Sequence, residues 1–526
     1  MRGVISAGHK LTAEAGIEIL KEGGNAFDAA VAASFASFVC ESPLTSIGGG
    51  GFFMAHSKEG ETLVYDFFPN APGLGKKPSC DDLDFYPIEV DFTGTIQEFH
   101  VGRGAAAVPG CMAGLNAVVE KHCSLPLSVL LAPAIDFARN GIIMNAEQAY
   151  FKKLLTPILM ISPDARKVYA PEGVMLKEGE TVFKKDMANT MEYLAREGLH
   201  MFYRGDIAKK IAAEFSDGGL IREADLANYK VEVRKPVKTS YRGRDIFLNP
   251  PPSSSGGCLI AFSLKMLEKI DIASLGFESA QYMSLLYEMM RVTDDARGED
   301  FDHRVYEEDI IETFLSPERI ESYRKKMAHE SSLLLGTERP STGNTTHISV
   351  LDEAGNAASV TTSNGEGCGH MVTGMGIMLN NMLGEEDINP HGFHQHKPGM
   401  RMSSMMTPTI VMDGRRPAIV MGSGGSNRIR NAILQVIINL IDHKMDINNA
   451  VNSPRVHWDK KSFQVEAGIA SKCLHILKST GVSLNCWEDK NMYFGGVHTV
   501  ASFGDEDGLS GAGDLRRGGV CLSTKG

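Results

Sequence analysis

Thr345 opens the run Thr345-Thr346-His347-Ile348-Ser349-Val350, directly after the polar stretch Thr337–Asn344. A chain cut before Thr345 would carry a hydroxyl and a free α-amine on the same residue. An α-amine titrates near 8, against about 10.4 for lysine. Roughly a tenth or more is then free base at neutral pH and takes up the hydroxyl proton, directly or through water. The chemistry this allows is nucleophilic attack on a carbonyl. By residue type alone, Thr-Thr suits an ordinary strand equally well. Gly424-Gly425, within Gly422-Ser423-Gly424-Gly425-Ser426, has the composition of a backbone-amide oxyanion hole. Two bare N–H groups there would meet developing negative charge, at about 3–4 kcal/mol per donor. A plain turn or a dinucleotide loop is also open, although no proper G-x-G-x-x-G is present. His391-x-x-His394-x-His396 has spacings that suit a metal, but its loop, Asn389–Gly399, offers no acidic ligand at fixed spacing. A loop that touches substrate is the better reading, and no metal or cofactor is expected.

These residues need elements to hold them. Thr345–Leu351 and Ala357–Ser363 read as strands flanking Asp352-Glu353-Ala354-Gly355-Asn356, a hairpin turn. With the turn near Ala354, paired residue numbers sum to about 708 or 709. Ser363 or Asn364 then lies opposite Thr345, and the first choice sets two hydroxyls side by side. His347 packs beneath them as a strand residue. Upstream, Ala13–Glu22 and Ala26–Phe38 have helical patterns, separated by Gly23-Gly24. The four glycines 48–51 lead into a strand and suit close packing. No Gly-Lys-Ser/Thr follows them, as a phosphate loop requires. Thr239–Leu248 reads as one strand and Leu259–Leu267 as a helix, with Pro250–Gly257 a turn inside a single domain. Pro417–Val420 is strand-like, and Arg430–Ile441 is helix-like after the glycine pair.

The chain has 526 residues, 43% hydrophobic and 22% charged, an ordinary soluble balance able to bury a large core. Its formal charge of −12, with no basic stripe, leaves no electrostatic footprint for nucleic acid. No apolar run approaches the ~18 residues of a membrane helix. The N-terminus lacks a basic region followed by an apolar one, so no signal peptide is expected. Nine cysteines, an odd number without a C-x-x-C pair, argue against a disulfide framework. A cytoplasmic location is expected.

Further motifs occur in order along nearly the whole chain: Glu22-Gly23-Gly24-Asn25-Ala26-Phe27-Asp28-Ala29-Ala30, the four glycines, Val108-Pro109-Gly110, Pro250–Gly257, Asn344-Thr345-Thr346-His347, Gly376–Asn381, Ser403-Ser404-Met405-Met406-Thr407-Pro408-Thr409 and Gly422–Ser426. In these the chain resembles the gamma-glutamyltransferase family of N-terminal-nucleophile hydrolases. The resemblance implies an α+β fold, an αββα sandwich of two stacked sheets covered by helices. It implies self-cleavage between Asn344 and Thr345 into segments 1–344 and 345–526, which stay together as one domain and a heterodimer. A higher oligomer is left open. It also implies Thr345 as the nucleophile, Ser363 as a hydroxyl supporting it, and Gly424 and Gly425 as the oxyanion hole. Ser403 and Ser404 would contact substrate. The reaction implied is cleavage of a gamma-glutamyl amide such as glutathione, through an acyl-enzyme resolved by water or an amine acceptor.

The sequence departs from the family where the acyl group is recognised. Phe68 stands in Asp66-Phe67-Phe68-Pro69-Asn70-Ala71-Pro72 where the family has a carboxylate-binding arginine. Losing such a charge-assisted bond weakens carboxylate binding roughly 10- to 150-fold; Arg103 and Arg401 are the candidates to replace it. On the amine side, Met382 replaces a glutamine and Gly365 an asparagine. Glu385 still provides an anion, and Asn364 and Glu366 flank Gly365. The expectation is therefore an autoprocessed threonine amidohydrolase whose acyl group is glutamyl or another acid. The rival from a different class is a binding protein that keeps the fold and never matures.

Overall fold

The computed structural model describes residues 1–74, 82–91, 96–329, 345–503 and 508–525. The Thr337–Asn344 stretch, with its expected cleavage residue Asn344, lies outside them. Thirteen strands build the two principal sheets. In chain order they are β1 (Gly3–Ala7), β2 (Gly50–His56), β3 (Thr62–Phe67), β4 (Glu232–Arg234), β5 (Val237–Tyr241), β6 (Arg244–Leu248), β7 (Thr346–Asp352), β8 (Ala357–Ser363), β9 (Thr409–Asp413), β10 (Arg416–Gly424), β11 (Gly496–Ala501), β12 (Ser510–Ala512) and β13 (Val520–Ser523). The first sheet runs β13-β1-β7-β8-β2-β3-β4 and the second β12-β11-β10-β9-β6-β5. Every neighbouring pair in both is antiparallel. Each sheet contains strands from before and from after Thr345, so the two segments share one core.

The helices that matter most here are α1 (Lys10–Lys21), α2 (Ala26–Cys40), α3 (Gly256–Leu267), α4 (Ala280–Ala296) and α5 (Ile429–Ile441). α1 and α2 cover the outer face of the first sheet, while α3 and α5 cover the second. The order is helix, sheet, sheet, helix, the αββα fold of N-terminal-nucleophile hydrolases. All fifteen residues of α2 are buried. Its alanines let neighbouring elements approach, and Asn25 and Asp28 cap its start reciprocally. Among the described residues no helix is long and apolar enough to cross a membrane.

The hairpin β7–β8 pairs Thr346 with Thr362 and Leu351 with Ala357. That is the lower of the two registers expected, and carried one residue further it sets Ser363 across from Thr345. Both strands are buried throughout, yet they are rich in hydroxyls. Strand alternation resolves this. Ile348 and Val350 join the core shared with α2, while alternate residues face the second sheet and bond there. His347 shares protons with Thr361 Oγ1 at 2.8 Å and Ser349 Oγ at 2.9 Å. Ser359 Oγ donates to the Met421 carbonyl. The single strand expected over Thr239–Leu248 is instead two, β5 and β6. Arg242 and Gly243, both at positive φ, turn the chain between them, as a two-residue hairpin turn demands.

Candidate active site

Thr345 is the residue before β7, at the edge where the sheets meet, and is 5% exposed. Three features hold it. The β7–β8 register brings Ser363 opposite, and Ser363 Oγ accepts the Gly365 N–H at 3.0 Å. The Arg517 guanidinium donates to the Thr345 carbonyl at 3.2 Å. Gly424, the last residue of β10, passes so close that a Cβ there would lie 2.1 Å from that carbonyl oxygen. Any side chain at position 424 would push the two strands apart. Gly425 follows at φ +122°, a conformation glycine adopts without steric cost. Ser423 Oγ accepts the Gly496 N–H at 3.1 Å and donates to the Gly424 carbonyl, pinning the strand end.

Beneath Thr345 the network continues. Thr346 points to the other face of the strand, where its hydroxyl donates to Glu41; Thr12 donates to the same carboxyl at 2.7 Å. Burial pushes the Glu41 carboxyl up to about 7, against the pull of those two hydroxyls and of Arg517. Burial likewise brings Arg517 down to about 10. His347 is fully buried, and burial holds it far below the usual imidazole range. It is a neutral packing residue, as its strand position implied.

Thr345 and Ser363 lie in the wall of an open cavity with about 870 Å³ of empty space, its mouth included. Ser403 and Ser404 line it too. The turn at Ser253–Ser255 fixes them: Ser404 N–H donates to the Ser253 carbonyl and its carbonyl accepts Ser255 N–H. Phe68 is in the wall and stacks on Phe52 with centroids 5.6 Å apart. Met382 and Met405 extend the apolar surface. Glu385 also lines the cavity; burial, reinforced by the Asp387 carboxylate, drives its carboxyl upward. Its Oε1 is buried without a hydrogen-bond partner among the described residues.

Other expected residues lie elsewhere. Asn364 and Glu366 do not line the cavity; both are fully buried. Asn364 Nδ2 reaches the Leu379 carbonyl and Glu366 faces Asn381. The positive φ of Gly365 and Gly367 ends the strand alternation there and folds both side chains away. Arg401 is no carboxylate clamp. It is spent on the Phe68 carbonyl, the Tyr229 hydroxyl and the Lys230 carbonyl, beside Asp66. Arg103 pairs with Asp84 and Asp217, outside the cavity. Among the described residues the arginine in the wall is Arg297, which sequence reasoning missed. It begins the π-helical turn Arg297–Phe301 after α4, a distortion common at functional sites. No motif marks it; an arginine at a helix end ordinarily reads as a solvated charge. His391 and His396 line the cavity while His394 turns to the Gly104 carbonyl. No group of three or more metal-ligating side chains forms among the described residues.

The family model described as Gamma-glutamyltranspeptidase matches residues 12–524. The chain is 32% identical over 507 residues to the glutathione hydrolase proenzyme of Escherichia coli, covering 91% of this chain and 85% of that one. It is 31% identical over 535 residues to the acylase ACY 1 proenzyme of Pseudomonas sp. strain V22, covering 100% and 94%. Among solved structures, cephalosporin acylase from Bacillus halodurans superimposes with a TM-score of 0.84 over 99% of this chain and 95% of that one, at 24% identity.

Proposed function

The chain belongs to the gamma-glutamyltranspeptidase family of enzymes, and from that premise we propose a self-cleaving threonine amidohydrolase whose acyl group is not held by an α-carboxylate clamp. One observation carries the nucleophile: Thr345 directly precedes β7 in the cavity wall, across from Ser363, with its carbonyl bonded by Arg517 and closely approached by Gly424. Cleavage after Asn344 would free the Thr345 amine at that place and leave a heterodimer of segments sharing both sheets, in keeping with relatives named proenzymes.

In the reaction, the Thr345 hydroxyl oxygen bonds to the amide carbon. Its proton passes through the freed α-amine to the leaving nitrogen as the C–N bond breaks, so an ester and a free amine result. Water, or an acceptor amine, then bonds to the ester carbon; the C–O bond to Thr345 breaks, and a proton from the attacking group passes through the α-amine to the Thr345 oxygen. The N–H groups of Gly424 and Gly425 would meet the oxyanion in both steps. Ser363 would orient the nucleophile, and Ser403, Ser404 and Glu385 would touch the acyl group.

Phe68, the engagement of Arg401 and the placement of Arg103 favour an acyl group other than glutamyl. The second reading is hydrolysis of gamma-glutamyl amides such as glutathione, favoured by the likeness to the Escherichia coli enzyme and by the retained Ser403, Ser404 and Glu385. The test is the intact mass of purified wild-type protein beside Thr345→Ala, with N-terminal sequencing of fragments. Wild-type fragments 1–344 and 345–526, absent from the variant, are expected. A wild-type chain that stays whole on prolonged incubation would overturn the proposal and favour a binding protein.

A further inference from the structure

A carboxyl beneath the nucleophile has no part in the steps given above. Resting on the proposal of a threonine amidohydrolase, we infer that Glu41 is a positioning residue for Thr345: it fixes the start of β7 through Thr346 and, by holding or releasing a proton, governs how readily the Thr345 amine becomes free base. Glu41 directly follows α2, and its N–H donates to the Ser37 carbonyl. It is 6% exposed there, and a carboxylate in that place faces the negative end of the helix dipole. The cation that suits such an end is supplied separately, since Lys184 Nζ donates to the Val39 carbonyl at 2.7 Å. The helix therefore gives no reason for an acid at position 41.

The strand does give one. Both carboxyl oxygens accept hydroxyls, one from Thr346 and one from Thr12. A bare backbone makes the room: a Cβ at Gly8 would lie 2.5 Å from Glu41 Oε2 and 3.1 Å from Thr346 Oγ1. Thr346 adjoins Thr345, and consecutive Cα atoms are about 3.8 Å apart. An amine freed at Thr345 therefore lies within one residue of the group that Glu41 holds. Arg517 links the two, donating to the Thr345 carbonyl at 3.2 Å while its positive charge acts on the Glu41 carboxyl.

The other charged groups stand further off. His9 and Glu147 line a rear opening of about 320 Å³, its mouth included, together with Glu41 and Arg517. It shares no described lining residue with the substrate cavity, so solvent there can exchange the carboxyl proton from behind. Burial, reinforced by Lys152, holds the His9 imidazole down to about 4 and hence neutral. Lys152 and Lys184 act around Cys40, the residue before Glu41.

The consequence is electrostatic. An ionised Glu41 favours the ammonium at Thr345. A protonated one leaves the Arg517 charge facing the amine and favours the free base that takes up the hydroxyl proton. The two groups therefore titrate as a pair. Burial pushes the Glu41 carboxyl up to about 7, next to the range in which an α-amine titrates.

The test is the pH profile of kcat/KM on an acyl p-nitroanilide that the enzyme accepts, measured after cleavage has been verified by mass. Glu41→Gln keeps the size of the side chain and removes its charge. With each profile normalised to its own plateau, the acid limb of this variant should lie about one pH unit below that of the wild type. On that limb the variant then retains up to about tenfold more of its plateau activity than the wild type does. Thr346→Val removes a hydroxyl that stabilises the anion, and should move the limb the same way by a smaller amount. Coincident limbs, a limb moved to higher pH, or a loss that is uniform at every pH would overturn the inference while leaving the threonine nucleophile standing. Failure of both variants to mature would also overturn it, by making Glu41 a structural strut. A wild-type chain that never cleaves would instead remove the premise.

Discussion

The two halves of the cavity are built differently. Thr345, Ser363 and Gly424 sit on the ends of β7, β8 and β10, where antiparallel register and bare backbone contact leave no slack. Phe68, Gly365, Glu385 and Arg297 sit just past strand ends, beside short 3-10 turns and in a π-helical turn. Strand ends are held by ladders on both sides, so changing one residue moves several. Turns tolerate substitution, and the departures that the resemblance implies, Phe68, Gly365 and Met382, lie past strand ends or in a 3-10 turn. The comparison teaches where specificity can be rewritten without disturbing the bond-breaking apparatus.

The largest effect should come from forcing a side chain into the rigid half. Gly424→Ala places a Cβ 2.1 Å from the Thr345 carbonyl oxygen; fragment formation should stall, and any kcat left should fall about 10²–10³-fold, the scale of a lost oxyanion donor. Normal cleavage and turnover would show that the strand ends are slack after all. Next, Ser363→Ala removes the hydroxyl opposite Thr345 and the acceptor for Gly365 N–H. A fall in kcat of about 10- to 100-fold with little change in KM is expected, and a KM effect alone would move Ser363 to the recognition half.

The turn-borne half should answer more gently and in pairs. Gly365→Ala should raise KM about tenfold by displacing the Glu385 carboxyl. Shortening the neighbour as well, in Gly365→Ala/Glu385→Asp, should recover part of that loss, although the left-handed φ of +59° still penalises alanine. Additive effects in a double-mutant cycle would separate the two residues.

The smallest effect concerns Glu41 under the nucleophile. Its folded pKa, about 7, lies above the ordinary 4.5. Between these values the folded state holds more protons than the unfolded one, so stability falls as pH rises. The contribution is fully present below about 4.5 and lost on passing 7. Urea midpoints for wild type and Glu41→Gln should diverge over that window, with the variant gaining relative to wild type. Parallel curves would mean that Glu41 is ionised throughout.

Much of the rigid half could be read from the chain because its causes are local. The hairpin turn at Asp352–Asn356 sets the register, and the register puts Ser363 beside Thr345. Gly424 announces itself as a residue with no Cβ. The recognition half was legible as losses, Phe68 and Met382, far better than as gains. Arg297 comes from a helix end a long way off in sequence, and nothing in its neighbours marks it as inward-facing. Asn364 and Glu366 look ready for a ligand by position, yet two left-handed glycines turn them into the core. The turn at Arg242-Gly243 escaped notice because only its second residue is a glycine.

The most direct test of the central claim is a rapid acid quench of the cleaved enzyme turning over an acyl p-nitroanilide that it accepts, followed by the mass of the 345–526 segment and of its N-terminal peptide. The account predicts one acyl group on the peptide that begins with Thr345. A segment that stays unmodified during turnover, or an acyl group on any other residue, would contradict it.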